Sequence, residues 1–191
     1  MDHITDILQF WDRIGPEGWY RGDDALDRDI RTRYAGLWEE ARDGGLSGWQ
    51  ATAPGALALI LLLDQFPRNM FRDHADSFAT DARALDEATR AIAAGHDLAT
   101  DPPLRQFFYL PFMHAEDRAA QDRCIALFAE RMPGDNLRHA RAHADVIARF
   151  GRFPWRNAAL GRVTTAAEQA FLDAGGYGAA LQRIGPADAG H

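Results

Sequence analysis

Two short stretches concentrate the side chains that could bind or transform something. The first is Asp64-Gln65-Phe66-Pro67-Arg68-Asn69, and the second is Phe153-Pro154-Trp155-Arg156-Asn157, with Arg152 just before it. Each pairs an arginine with an asparagine directly beyond a proline. A guanidinium is a planar fork of donors suited to a carboxylate or phosphate, and an asparagine adds one donor and one acceptor to orient it. Asp64 and Gln65 could hold such a fork in place. The same pattern has a structural reading: proline ends a helix, arginine bonds the last carbonyls, and asparagine tolerates the left-handed turn. The functional reading requires the two segments to meet, so that Arg68, Asn69, Arg152, Arg156 and Asn157 line one hollow for an anionic small molecule or a carboxylate-bearing peptide.

Histidines supply the other candidates. His114 precedes Glu116 by two residues, and together they could act as an acid–base pair on a small anionic substrate, in a hydrolase or lyase; the remaining alternative is a protein-interaction scaffold without a small-molecule site. His143 lies four residues after His139 on one side of a helix, in line with Ala140 and Ile147. A histidine on such an apolar face is usually a hydrogen-bonded core residue, so His143 is read as supporting. No His-Glu-x-x-His pattern, glycine-rich phosphate loop or Gly-x-Ser-x-Gly elbow is present, so neither a metal nor a cofactor is expected. Cys124 stands alone within an apolar helical pattern and reads as a buried, inert thiol.

The elements that must position these groups are helical. Apolar residues recur at spacings of three and four, and no alternating strand pattern occurs. Asp2 caps a first helix carrying Ile4, Ile7, Leu8 and Trp11, and Gly15-Pro16-Glu17-Gly18 breaks the chain, leaving Trp19 and Tyr20 in a loop. Further helices are expected over Asp23 to Arg42, from Thr52 and Pro54 to about Phe66, over Thr80 to Ala94, from Glu116 to Arg131, from Asn136 to Phe150, and after Thr164 or Thr165. The run Gly55 to Leu63 has no polar residue, which marks a rod buried on every side. The expected fold is an all-α, single-domain bundle or superhelix over 1–184, with seven to eight helices, short loops and no sheet. Residues 185–191 are expected to form a disordered tail.

The 191 residues carry a formal charge of −7, and all 21 basic residues are arginines. The acidic balance argues against coating nucleic acid, and the absence of lysine excludes Schiff-base chemistry. The charge is uneven: seven arginines face two aspartates between Arg131 and Arg162. Such a run is either a solvated helix face or a focused site for an anion. The longest apolar run is too short to span a bilayer, and the N-terminus does not read as a signal peptide, so a cytoplasmic location is the default expectation. Oligomeric state is not readable.

Longer motifs add a resemblance. Leu62 to Asn69, Phe78-Ala79-Thr80-Asp81, Tyr109 to His114 with Glu116-Asp117, and Arg149 to Pro154 with Arg156-Asn157 and Leu160-Gly161-Arg162 resemble the bacterial family termed domain of unknown function 924. The resemblance extends from Phe10-Trp11 to about Leu172. It implies an all-helical, tetratricopeptide-like fold and no established activity. The chain departs from it at Trp155, where the family commonly has histidine. That departure counts against a metal or proton-transfer role for this segment and leaves the Arg–Asn reading untouched.

Overall fold

A computed structural model describes residues 2–185. Among them every regular element is helical and no strand occurs. The backbone groups into two compact units, Met1–Pro111 and Phe112–His191. Ten α-helical segments and several single turns form among the described residues, against the seven to eight helices expected, because short helices form at Phe66–Met70 and Leu110–His114. Residues 186–191 of the expected tail lie outside the described part. No helix among the described residues is long and apolar enough to cross a membrane.

In the N-terminal unit, α1 spans His3–Trp19 and α2 spans Asp24–Asp43, each capped by an aspartate carboxylate that accepts from backbone amides. Asp2 takes the amide of Ile4, and Asp23 takes those of Ala25 and Leu26. The break expected at Gly15 is a kink: φ is 70° there, a left-handed value that glycine tolerates, and helical geometry resumes through Trp19. Trp19 is therefore not a loop residue. It is buried, its ring stacks on Trp11 at 6.1 Å, and its indole N–H donates to the Trp11 carbonyl at 2.7 Å.

The central rod begins at α3 (Ala53–Ile60), with Thr52 capping the amide of Gly55. Leu57 to Leu63 are all buried, as an all-round apolar helix requires. The rod does not stop at Phe66. It passes through a π turn at Leu61–Gln65 into α4 (Phe66–Met70). Pro67 has no amide hydrogen to give the Leu63 carbonyl four residues back. The Thr80 hydroxyl donates to that carbonyl instead, at 2.6 Å. Thr80, at the start of α5 (Asp81–Ala93), makes no side-chain cap bond there; its hydroxyl repairs the rod. Phe66 packs against Phe10, Trp11 and Tyr34 at ring distances of 6.4, 5.5 and 4.9 Å, which fixes the polar exit of the rod against α1 and α2.

The division between units falls within α6 (Leu110–His114). The C-terminal unit consists of α7 (Arg118–Arg131), α8 (Asp135–Phe150), α9 (Ala166–Asp173) and α10 (Gly176–Ile184). The three-residue turn Met132–Gly134 makes α7 and α8 antiparallel neighbours. Val146, Ile147, Phe153, Phe171 and Ala180 form a core into which Trp155 packs. Thr165 and Glu168 close a reciprocal capping box at the start of α9.

Candidate functional site

In the N-terminal unit, Arg68 answers the structural reading. Its guanidinium donates to the Asp64 carbonyl and pairs with the Asp64 carboxylate at 3.3 Å and with Asp81 at 2.9 Å. Burial opposes its charge, but the two carboxylates outweigh that and hold its pKa above the ordinary value. Gln65 donates to the Asp64 carboxylate at 2.5 Å.

Asn69 leads elsewhere. Its amide N–H donates to Asp27 Oδ1 at 2.8 Å, and Arg72 donates to Asp27 Oδ2 through Nε at 3.0 Å and Nη2 at 2.7 Å. Asp27 lies on α2 in a stripe with Asp24, Arg28 and Arg31, spaced three and four apart and so on one helix face. This stripe and the end of α4 enclose a cleft of about 280 Å³ lined by Asp24, Asp27, Arg28, Arg31, Asn69 and Arg72. Asp27 is taken up by Asn69 and Arg72. Arg28 and Arg31 form no ion pair among the described residues; Arg31 lies over the Phe71 ring at 5.5 Å. The sequence reading passed over Arg28, Arg31 and Arg72. The signal was there in the three-and-four spacing of charges on α2, but nothing in it announces which helix end will face that stripe.

In the C-terminal unit, the second Arg–Asn segment is wired to carboxylates. Arg152 clasps Glu168 with Nε at 2.6 Å and Nη2 at 2.8 Å, and Asn157 donates to Glu168 and to the Thr164 hydroxyl at 3.3 Å each. Arg152, with the Thr165 amide and hydroxyl, holds the Glu168 carboxyl well below the usual range. Arg156 is buried, donates to the His114 carbonyl at 2.9 Å, and lies 4.7 Å from the centre of the Phe153 ring. Glu116 receives both arms of Arg162, at 2.9 and 2.7 Å, and the Phe153 amide at 2.8 Å. Burial alone would raise its pKa, but the Arg162 fork, the Phe153 amide and nearby Arg156 carry it below the normal value. A carboxylate so occupied is an anchor for the 151–162 loop. It is poorly placed to donate a proton at neutral pH, which counts against the His114–Glu116 acid–base pair.

His143 sits in an aromatic nest, with ring centroids 4.8 Å from Tyr177, 5.4 Å from Phe153, 6.0 Å from Trp155 and 6.4 Å from His114. Its Nδ1 meets the His139 carbonyl at 2.9 Å, so the proton of the neutral ring is on Nδ1. Burial, with His114 and Arg156 nearby, pulls its pKa down to about 3. His139 bridges Tyr177 and Asp135. No group of three or more histidine, cysteine, aspartate or glutamate side chains among the described residues is arranged to hold a metal.

Comparison with known proteins agrees with the fold and leaves the chemistry open. A solved protein of unknown function from Agrobacterium tumefaciens superposes with a TM-score of 0.87 at 46% sequence identity, covering 90% of this chain and 97% of that one. No curated protein gives a significant match. The model of the family described as bacterial protein of unknown function (DUF924) matches residues 7–176, so this all-helical chain belongs to that family.

Proposed function

We propose that the protein is a ligand-binding helical module whose N-terminal unit takes a small anion, a phosphate monoester or a short carboxylate, in the cleft between α2 and the end of α4. One observation carries this reading: Arg28 and Arg31 line a concave site and form no ion pair among the described residues, while Asp27 is held by Asn69 and Arg72 and Asp24 is the other carboxylate of the cleft. Arg72 and Asn69 are thereby fixed in orientation before any ligand arrives, which lowers the ordering cost of binding. Two unpaired guanidinium forks supply charge-assisted bonds to a planar or tetrahedral anion. The volume of about 280 Å³ suits a small ligand. In this reading the protein works in the cytoplasm and binds rather than catalyses.

The test is calorimetric titration at fixed ionic strength with inorganic phosphate, a phosphate monoester and malonate. It is repeated on the Arg28→Gln/Arg31→Gln double variant, both positions being exposed. Saturable binding of at least one anion, lost in the variant, is the expected result. Equal binding by both proteins, or none by the wild type, would overturn the proposal.

A further inference from the structure

The basic run of the C-terminal unit resolves almost entirely into internal pairs. Arg131 meets Glu130, Arg138 the Leu181 carbonyl, Arg149 Asp145, Arg152 Glu168, Arg156 the His114 carbonyl and Arg162 Glu116. Of the seven arginines from Arg131 to Arg162, Arg141 is the one with no such partner among the described residues.

Arg141 borders a groove of about 470 Å³ formed by α7, α8 and the end of α10. Its apolar surface comes from Ile125, Ala144, Ala148 and Ile184, and the two alanines keep the α8 wall low. Asp145, also on the groove, is already held by Arg183 at 2.7 Å. Arg118 and Asp122, also on the groove, are opposite charges four residues apart on α7. The net cation of the groove is therefore Arg141. Gln121, 1% exposed, borders it too; its amide nitrogen is spent on the carbonyls of Phe112, Met113 and Ala115, while its Oε1 has no hydrogen-bond partner among the described residues.

We propose that this groove binds an aliphatic carboxylate, with the chain over Ile125, Ala144, Ala148 and Ile184 and the head group on Arg141. The apolar surface provides the driving force and the single uncommitted guanidinium sets the polarity of the ligand. The apolar surface that a ligand covers grows with its chain, so an eight-carbon carboxylate gains more from this floor than butyrate does. This site is independent of the cleft in the N-terminal unit.

The experiment is calorimetric titration of the full chain with octanoate below its micellar concentration, alongside butyrate and octylamine. Wild-type protein, Arg141→Gln, Ala144→Leu and the Arg28→Gln/Arg31→Gln variant are compared, with thermal melts confirming that each is folded. Octanoate is expected to bind saturably, with butyrate and octylamine much weaker. Loss of the charged contact in Arg141→Gln should weaken binding by about tenfold. Ala144→Leu should remove binding by filling the floor, and the N-terminal variant should leave it unchanged. Octanoate binding equally to Ala144→Leu, octylamine binding as well as octanoate, or no saturable heat would each refute the proposal.

Discussion

His143 makes acid stability a test of how the C-terminal unit is packed. In the unfolded chain its imidazole titrates near the ordinary value of 6.5, whereas in the folded protein burial takes it to about 3. Above the unfolded pKa both states hold a neutral ring, and His143 adds no pH dependence. Below it the unfolded state binds a proton that the folded state refuses, so stability falls as pH falls, at about 1.4 kcal/mol per unit. By about pH 4.5 this amounts to about 2.7 kcal/mol relative to pH well above 6.5, a large part of the margin of a small domain. The groups around the ring reinforce the effect: His114, His139 and Arg156 all disfavour a second positive charge, and only the His139 carbonyl favours it. Replacing His143 by Phe keeps the contacts with Tyr177, Phe153 and Trp155 while removing the titration. Urea unfolding of both proteins at neutral pH and at about pH 4.5 should show the variant losing about 2.7 kcal/mol less than the wild type. The ring proton resonances of His143 in the folded protein should stay constant over the same range. Parallel stability curves, or a His143 resonance titrating near 6.5, would refute the account of a desolvated neutral ring.

Three further outcomes follow from specific contacts. Thr80→Val deletes the hydroxyl that bonds the Leu63 carbonyl and accepts from the Trp38 indole, leaving two buried groups unpaired; urea unfolding should show a loss of about 2–3 kcal/mol, with Thr80→Ser close to wild type. Gly55→Ala would place a Cβ 2.2 Å from the Trp49 carbonyl oxygen, a backbone atom that cannot step aside cheaply, and should cost about 2–3 kcal/mol in the same assay. Glu116→Gln exchanges the acceptor of a two-armed Arg162 contact for a neutral amide, leaving that half-buried cation under-paired. The expected loss is about 2 kcal/mol, with faster proteolysis in the 151–162 loop as a second readout.

Much of the helical skeleton was legible because its signals are local. Asp2, Thr52 and Thr165 cap where their neighbours in sequence predict, and the unbroken apolar run to Leu63 is buried. What failed locally failed for tertiary reasons. Trp19 is carried back into helical geometry past Gly15 because its ring is worth more against Trp11 and Phe107 than in water. The rod survives Pro67 because a hydroxyl from residue 80 stands in for the missing amide. At the candidate sites, residue type was readable but partnership was not. The arginines singled out in sequence, Arg68, Arg152 and Arg156, are occupied by carboxylates or carbonyls, and the uncommitted ones, Arg28, Arg31 and Arg141, sit in stripes that read as ordinary solvated faces. Deciding which cation is left over needs the full set of acids around it, and those come from distant parts of the chain.

The π turn in the central rod is in effect a one-residue insertion that the helix has absorbed without breaking. Each residue turns an α-helix by about 100°, so one extra unit rotates everything beyond it by that amount relative to an uninterrupted helix. Arg68 and Asn69 reach Asp81 and Asp27 only in this shifted frame. Removing a single leucine upstream would leave composition and hydrophobicity nearly unchanged, yet it would swing both side chains more than a quarter-turn off target. In this helix, chain length carries as much information as residue identity.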